Sequence, residues 1–232
     1  MKKNRTIIYA DGASLDQIKK IDPLVKGYTF NPSLFRKLGV KNYLSFSKIL
    51  SKKIKKKSIS LEVFADDEIN MIHQAKKLSN LGNNIYVKIP ITFTNGKSTK
   101  NVIKELIKLN VKLNITAIFT LKQVKKILPI VKNTKTILSI FAGRIYDTGI
   151  DANKIMQSIC KLVHKNSKCL VLWASPRMIY DLIQANKMNC DIITLPVDLI
   201  FKKKNFGKKL ESYSLETVKN FYQDSLKSKY KL

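Results

Sequence analysis

Eight short runs rich in β-branched and aromatic residues recur along this chain, each followed by a stretch with helical apolar spacing. The runs are "TIIYA" (6–10), "GYTF" (27–30), "ISLEVF" (59–64), "IYVKI" (85–89), "NITAIF" (114–119), "TILSIF" (136–141), "CLVLWA" (169–174) and "DIITL" (191–195). Strict strand–helix alternation calls for a parallel sheet, because parallel neighbours need a crossover between them. Two solutions compete, a closed (β/α)8 barrel and an open doubly wound sheet. The open sheet wants a glycine-rich phosphate loop after its first strand, and "ADGAS" (10–14) is not one. The expected fold class is therefore α/β, a (β/α)8 TIM barrel as a single domain over 1–232, with 197–232 as a C-terminal helical extension. Within that extension "SLETVKNFYQDSL" (214–226) predicts an extra helix.

The helices follow from apolar periodicity. Ile69, Ile72, Ala75, Leu78 and Leu81 recur after the N-cap candidate Asp66, and Gly82 ends the run. Val102, Ile103, Leu106 and Ile107 mark the next, then Leu121, Val124, Leu128 and Val131. Ile155, Ile159, Leu162 and Val163 follow, and Met178, Ile179, Leu182 and Ile183 give the last inside the repeat.

Side chains alternate across a strand, so one parity faces the barrel interior. Strand two sets Thr29 and Asn31 on one parity, and strand three sets Ser60 and Glu62 against Leu61 and Val63. Strand four pairs Tyr86 with Lys88, strand five Asn114 with Thr116, and strand six Ser139 with Phe141. Barrel interiors are ordinarily filled with branched apolar residues, so this polar set is either a hydrogen-bonded plug or an active site at the C-terminal mouth. At its centre Lys88 loses solvation for its ammonium form, which favours the amine that attacks a ketone to form a Schiff base. Glu62 beside Thr116, through a water, suits the proton shuttle of carbinolamine formation, and Asp11 after strand one suits the second acid/base.

A second signal concerns anions. "LWASPR" (172–177) ends a strand, with Ser175 as N-cap candidate, Pro176 at the first helical position and Arg177 just inside. Arg144, in "FAGRIYDTG" (141–149), offers another guanidinium. Of 44 Lys plus Arg, only Arg5, Arg36, Arg144 and Arg177 are arginine, so two arginines at adjacent strand ends point to bidentate phosphate binding. A helix cap with a surface ion pair is the structural alternative.

The formal net charge of +28 invites a nucleic-acid reading, but the lysines are spread over the helices. They gather only in "KKIKKK" (52–57) and "FKKKNFGKK" (201–209), without interleaved stacking aromatics. Abundant Lys, Asn and Ile with scarce Arg is what an AT-rich coding sequence gives whatever the function. Cys160, Cys169 and Cys190 lack CxxC spacing, and His73 and His164 lack a second ligand type at metal spacing, so reduced thiols and no metal are expected. The apolar run before Asp11 is too short for a signal peptide and no span approaches transmembrane length, which predicts a cytoplasmic protein.

Seven stretches, in order, resemble the transaldolase family: "YTFNPSL" (28–34), "SLEVFADD" (60–67), "NIYVKIPIT" (84–92), "LNITAIFTLKQV" (113–124), "ILSIFAGRIYDTG" (137–149), "LWASPR" (172–177) and "CDIITLP" (190–196). The resemblance implies a class I aldolase-type barrel of the pentose phosphate pathway. Such enzymes move a dihydroxyacetone unit from a ketose phosphate, such as sedoheptulose 7-phosphate or fructose 6-phosphate, to an aldose phosphate. It implies Lys88 as the Schiff-base residue, Asp11 as acid/base for carbon–carbon cleavage, and Glu62 and Thr116 as holders of the relaying water. Thr29, Asn31, Ser60, Asn114 and Ser139 are implied to bind the three-carbon unit or orient Lys88. Phe141 is implied to line the same site, and Arg144, Ser175 and Arg177 to hold the phosphate. No cofactor, specific nucleic acid or membrane is implied, and homo-oligomers are common among relatives.

The related fructose-6-phosphate aldolases tend to carry Gln at the place of Glu62 and Tyr at that of Phe141, so this chain resembles the transferases more. It departs at Phe30, where a small hydroxyl residue is typical, and at Gly12, where Thr or Ser usually follows the aspartate. Besides simple aldol cleavage, a retired barrel that binds polyanions through its lysines is the reading from a different class.

Overall fold

The structure, a computed structural model, describes residues 6–228. Its first half runs β1 (Ile7–Asp11), α1 (Leu15–Ile21), β2 (Gly27–Thr29), α2 (Pro32–Lys37), α3 (Tyr43–Lys53), β3 (Ser58–Glu62), α4 (Glu68–Ser79), β4 (Ile85–Pro90) and α5 (Lys100–Lys108). The second half runs β5 (Leu113–Ile118), α6 (Leu121–Val131), β6 (Ile137–Ile140), α7 (Ala142–Tyr146), α8 (Ala152–Asn166), β7 (Leu170–Trp173), α9 (Asp181–Lys187), β8 (Ile192–Pro196), α10 (Val197–Lys202) and α11 (Leu210–Ser228). All strand pairs are parallel and consecutive, and β8 returns to β1 with Thr194 opposite Tyr9, so the barrel is closed. The expected (β/α)8 architecture is the one observed, with a second helix after each of β2, β6 and β8 added to the simple alternation.

Parity separates two environments. Outward positions such as Ala10, Tyr28, Leu61, Val87, Ile115, Leu138, Val171 and Ile193 are buried beneath the helices and form the main core. Phe30 belongs there too, fully buried with its ring 5.3 Å from that of Phe35, so this departure from the usual pattern affects packing. Inward positions form a second, smaller cluster of Tyr9, Ile137, Leu172 and Ile192, with Tyr86 and Leu170 against it. Gly27 makes room for it, because a Cβ there would lie 2.6 Å from the Tyr9 ring. The interior is thus apolar toward the strand N-termini and polar toward their C-termini.

Three local expectations are corrected. Helix α4 is capped by Asp67, whose side chain accepts from the Asn70 N–H at 2.9 Å, whereas Asp66 accepts from the Thr94 N–H at 2.8 Å. That helix ends at Asn80 before Gly82, and its buried stripe is Met71, Ala75 and Leu78. A strict three-residue spacing drifts around a 3.6-residue helix, which leaves Ile69 82% exposed. Ser175 is not a helix N-cap: α9 begins at Asp181, and the residues between form a loop.

The chain divides into two compact units, Met1–Ile200 and Phe201–Leu232. The first holds the barrel. The second is built around α11, which runs further than the expected 214–226 and has no buried residue. Among the described residues no helix is long and apolar enough to cross a membrane.

Candidate active site

Polar inner residues converge at the C-terminal mouth on a pocket of about 280 Å³. One wall is Asp11, Thr29, Asn31, Lys88 and Thr116, and the other is Ser139, Phe141, Arg144 and Ser175. A larger concavity of about 680 Å³ lies between α1 and the residues before β3, lined mainly by lysines over Leu15, Ile18 and Ile54. Its one carboxylate, Asp22, pairs with Lys57 at a more exposed position, whereas the mouth holds a buried lysine beside a carboxylate and is the better candidate.

Lys88 is held by the barrel itself. It sits in β4 in register with Glu62 on β3 and Asn114 on β5, and keeps only 6% of its surface exposed. Its Nζ lies 2.8 Å from Glu62 Oε2. Glu62 is fixed from behind, because the Tyr43 hydroxyl donates to its carbonyl at 2.8 Å and accepts from its N–H at 2.9 Å. Tyr43 carries no sequence signal for this, since α3 looks like any amphipathic helix.

Thr116 owes its position to a bulge. The β5–β6 register shifts between Ile115 and Ile118, and Ala117 takes a φ of 58°. Thr116 lines the pocket, and its buried hydroxyl has no hydrogen-bond partner among the described residues. An orphaned donor on a pocket wall is open to a ligand.

Ser60, Asn114 and Ser139 form a buried bracket under this group. Asn114 donates to Ser60 Oγ at 3.0 Å and accepts from Ser139 Oγ at 2.6 Å. Ser60 and Asn114 are fully buried, whereas Ser139 reaches the pocket. The first two therefore orient neighbours rather than open onto the pocket.

Asp11 ends β1 and accepts from the Thr29 hydroxyl at 2.6 Å. Burial raises its carboxyl above the ordinary carboxylate range, opposed by the Lys88 ammonium and the Thr29 hydrogen bond. Gly12, the departure after the aspartate, has a structural role. With φ at +67° it turns the chain directly after Asp11, its N–H donates to the Thr29 carbonyl at 3.0 Å, and a Cβ would lie 2.7 Å from Leu34. Asn31 has two uses, since its Oδ1 caps α2 through the Leu34 N–H at 2.8 Å while the residue lines the pocket.

The two arginines differ. Arg144 lines the pocket with its guanidinium carbon 5.2 Å from the centre of the Phe141 ring. Arg177 lies outside the pocket lining and is gripped by Asp147, with Nε 3.0 Å from Oδ1 and a second bond to Oδ2. That pairing holds the Asp147 carboxyl below its ordinary range. Ser175 reaches the pocket from the β7–α9 loop with φ at 58°. Buried Asp181 shapes this loop by accepting from the N–H groups of Arg177 at 2.6 Å and Met178 at 3.1 Å. The loop approaches so closely that a Cβ on Gly143 would sit 1.6 Å from the Ser175 carbonyl oxygen. Gly143 is what lets the Arg144 and Ser175 segments meet.

The sequence reading missed Thr194, Lys37 and Ser33, which also line the pocket. Thr194 was accessible: in "IITLP" it shares the inward parity of Ile192. Lys37 and Ser33 sit on α2, where strand parity has nothing to say. The thiols take no part in the site. All three cysteines are free and buried, Cys160 and Cys190 with sulfurs 3.7 Å apart, and burial pushes the Cys169 thiol up to about 11. Among the described residues no group of three or more His, Cys, Asp or Glu side chains could hold a metal.

The sequence profile described as transaldolase/fructose-6-phosphate aldolase matches residues 8–231. A probable transaldolase of Methanococcus maripaludis is 33% identical over 200 residues, covering 85% of this chain and 89% of that one. A probable transaldolase of Nitrosopumilus maritimus is also 33% identical over 200 residues, with 84% and 86% covered. Among solved structures, KGPDC from Streptococcus mutans superposes with a TM-score of 0.60 at 10% identity, covering 85% of this chain and 91% of that one. A putative isomerase from Sinorhizobium meliloti gives 0.59 at 8% identity over 88% of this chain and 55% of its own. Those two likenesses speak to the barrel fold alone. On the profile match and the sequence relatives, the chain belongs to the transaldolase/fructose-6-phosphate aldolase family.

Proposed function

We propose that this protein is a transaldolase that carries a dihydroxyacetone unit from a ketose phosphate to an aldose phosphate through a Schiff base on Lys88. The observation that carries the reading is the buried Lys88 amine 2.8 Å from Glu62, on a pocket shared with Asp11 and Thr116. Passing a proton from Lys88 to Glu62 frees the amine to attack the C2 carbonyl of the ketose. Glu62 then protonates the carbinolamine hydroxyl, which leaves as water toward the unpartnered Thr116 hydroxyl and gives the iminium. Asp11 takes the proton of the C4 hydroxyl, the C3–C4 bond breaks, and its electron pair moves into the iminium as the aldose phosphate departs. The retained enamine attacks the acceptor aldehyde, Asp11 returns its proton to the new hydroxyl, and water releases the product from Lys88.

Asn31 and Ser139 serve the hydroxyls of the three-carbon unit, with Ser60 and Asn114 holding Ser139 and the strands around Lys88. Arg144 and Ser175 take the substrate phosphate, and Arg177 joins them from its Asp147 pairing. Glu62 and Phe141 favour transfer over cleavage without an acceptor. The free, buried thiols suit a reducing, cytoplasmic setting. Exposed Leu215, Val218, Phe221 and Tyr222 on α11 support self-association, read by sedimentation of the full chain.

Borohydride trapping with fructose 6-phosphate, followed by peptide mapping, tests the reading. A reduced adduct on Lys88 and turnover that requires an aldose phosphate are expected. The Lys88→Arg variant, whose guanidinium forms no imine, should fold but trap nothing. An adduct elsewhere, or a fully active Lys88→Arg protein, would overturn it.

A further inference from the structure

Thr194 lies within "CDIITLP" (190–196), yet none of the roles assigned so far falls to it. It stands on β8 opposite Tyr9, is 4% exposed, and has its Oγ1 2.5 Å from Thr29 Oγ1. Thr29 in turn lies 2.6 Å from Asp11 Oδ1. Three adjacent strands, β8, β1 and β2, thus contribute an unbroken row of oxygens ending on a carboxylate.

A hydroxyl carries one proton. An ionised carboxylate only accepts, so when Asp11 is charged the Thr29 proton points to Asp11. The Thr29 oxygen then has only acceptor capacity left toward Thr194, and the Thr194 proton must point to Thr29. The direction of the row is fixed, Thr194 to Thr29 to Asp11. Among the described residues Thr29 is the only hydrogen-bond partner of the Thr194 hydroxyl.

We propose that Thr194 is a positioning residue that tunes the acid/base strength of Asp11 through Thr29. A donor that is itself receiving a hydrogen bond donates more strongly, by roughly 10–30% per bond in a poorly solvated site. Thr194 therefore favours the charged form of Asp11, working against the burial that disfavours it. The charged groups facing Asp11 are Lys88 on β4, Glu62 on β3 and Lys37 on α2. The first and last already favour its charge and the second opposes it, so the neutral hydroxyl row is an adjustment on a balanced site. When Asp11 takes a proton, the row no longer has to point one way. Its reorganisation accompanies each protonation and deprotonation of Asp11.

This rests on the proposed role of Asp11, so the test reads the carboxyl directly. The ¹³C shift of Asp11, assigned by comparison with Asp11→Asn, is titrated in the free full-length protein for wild type, Thr194→Val and Thr194→Ser. Valine keeps shape and removes the donor, and serine restores it. The expected result is an upward shift of the Asp11 titration by roughly 0.2–0.6 pH unit in Thr194→Val, with wild-type behaviour in Thr194→Ser. The acid limb of kcat/KM with fructose 6-phosphate should move with it, while KM changes less than twofold. An unshifted titration in Thr194→Val overturns the proposal, as does an equal shift in both variants, which would mark packing as the cause. If the valine variant does not fold, Thr194→Ala is read by the same criteria. A wild-type protein without transaldolase activity would sink the functional reading while the titration still decides the proposal.

Discussion

Gly143 gives a sharp test of how the proposed phosphate end is built. A methyl group added there meets the Ser175 carbonyl oxygen at 1.6 Å and its carbon at 2.8 Å, both backbone atoms with no rotamer to yield. To reach ordinary contact one segment must retreat by about 2 Å. Overpacking of this kind costs about 1–3 kcal/mol, and a backbone obstacle puts Gly143→Ala at the upper end. At about 2–4 °C per kcal/mol for a chain this long, Tm should fall by about 6–12 °C in a calorimetric scan. The same retreat separates Arg144 from Ser175. Loss of one charge-assisted hydrogen bond to phosphate is worth about 1.5–3 kcal/mol, or roughly 10- to 100-fold. The preference for fructose 6-phosphate over fructose, measured as the ratio of kcat/KM values, should fall by that factor while trapping at Lys88 persists. A folded Gly143→Ala protein with unchanged Tm and an unchanged ratio would refute the close-approach argument.

Other consequences follow from titratable groups. Since burial raises the Asp11 carboxyl in the folded state, its ionisation destabilises the fold above its ordinary value of 3.8. Asp11→Asn should therefore raise Tm at neutral pH, with the gain vanishing as pH falls below 3.8, while kcat drops about 10²- to 10⁴-fold. His164 is raised above 6.5 chiefly by its hydrogen bond to Asp191 at 2.8 Å. Its stabilisation is full below 6.5 and fades as pH rises through the raised value, so His164→Leu should lower Tm more at pH 5.5 than at pH 8.5. Equal losses at both pH values would remove the charged pair from the account.

Strand positions were legible in the sequence because inward and outward side chains differ in polarity along each run. Lys88, Glu62, Asn114 and Ser139 were found by that alternation, and the barrel brings them together as expected. What alternation cannot see is the loop. "ASPR" has the composition of a helix start, yet Ser175 adopts a left-handed φ and the helix waits until Asp181, whose carboxylate takes the backbone donors first. The Asp147 grip on Arg177 joins residues 30 apart and leaves no local trace. Tyr43 was invisible for a related reason, since its hydroxyl serves the backbone of Glu62 from another element.

The apolar inner cluster of Tyr9, Ile137, Leu172 and Ile192 has a further consequence. It fills the barrel interior with apolar side chains, while the polar pocket gathers the residues at the strands' C-terminal ends, so on the proposed chemistry reactants and products would come and go at the mouth. A reactive enamine formed on Lys88 would face stray water from one side only, and a sugar seated in the doorway would close that side too. On that chemistry the strands would be the wall of a vessel whose cargo serves as its lid.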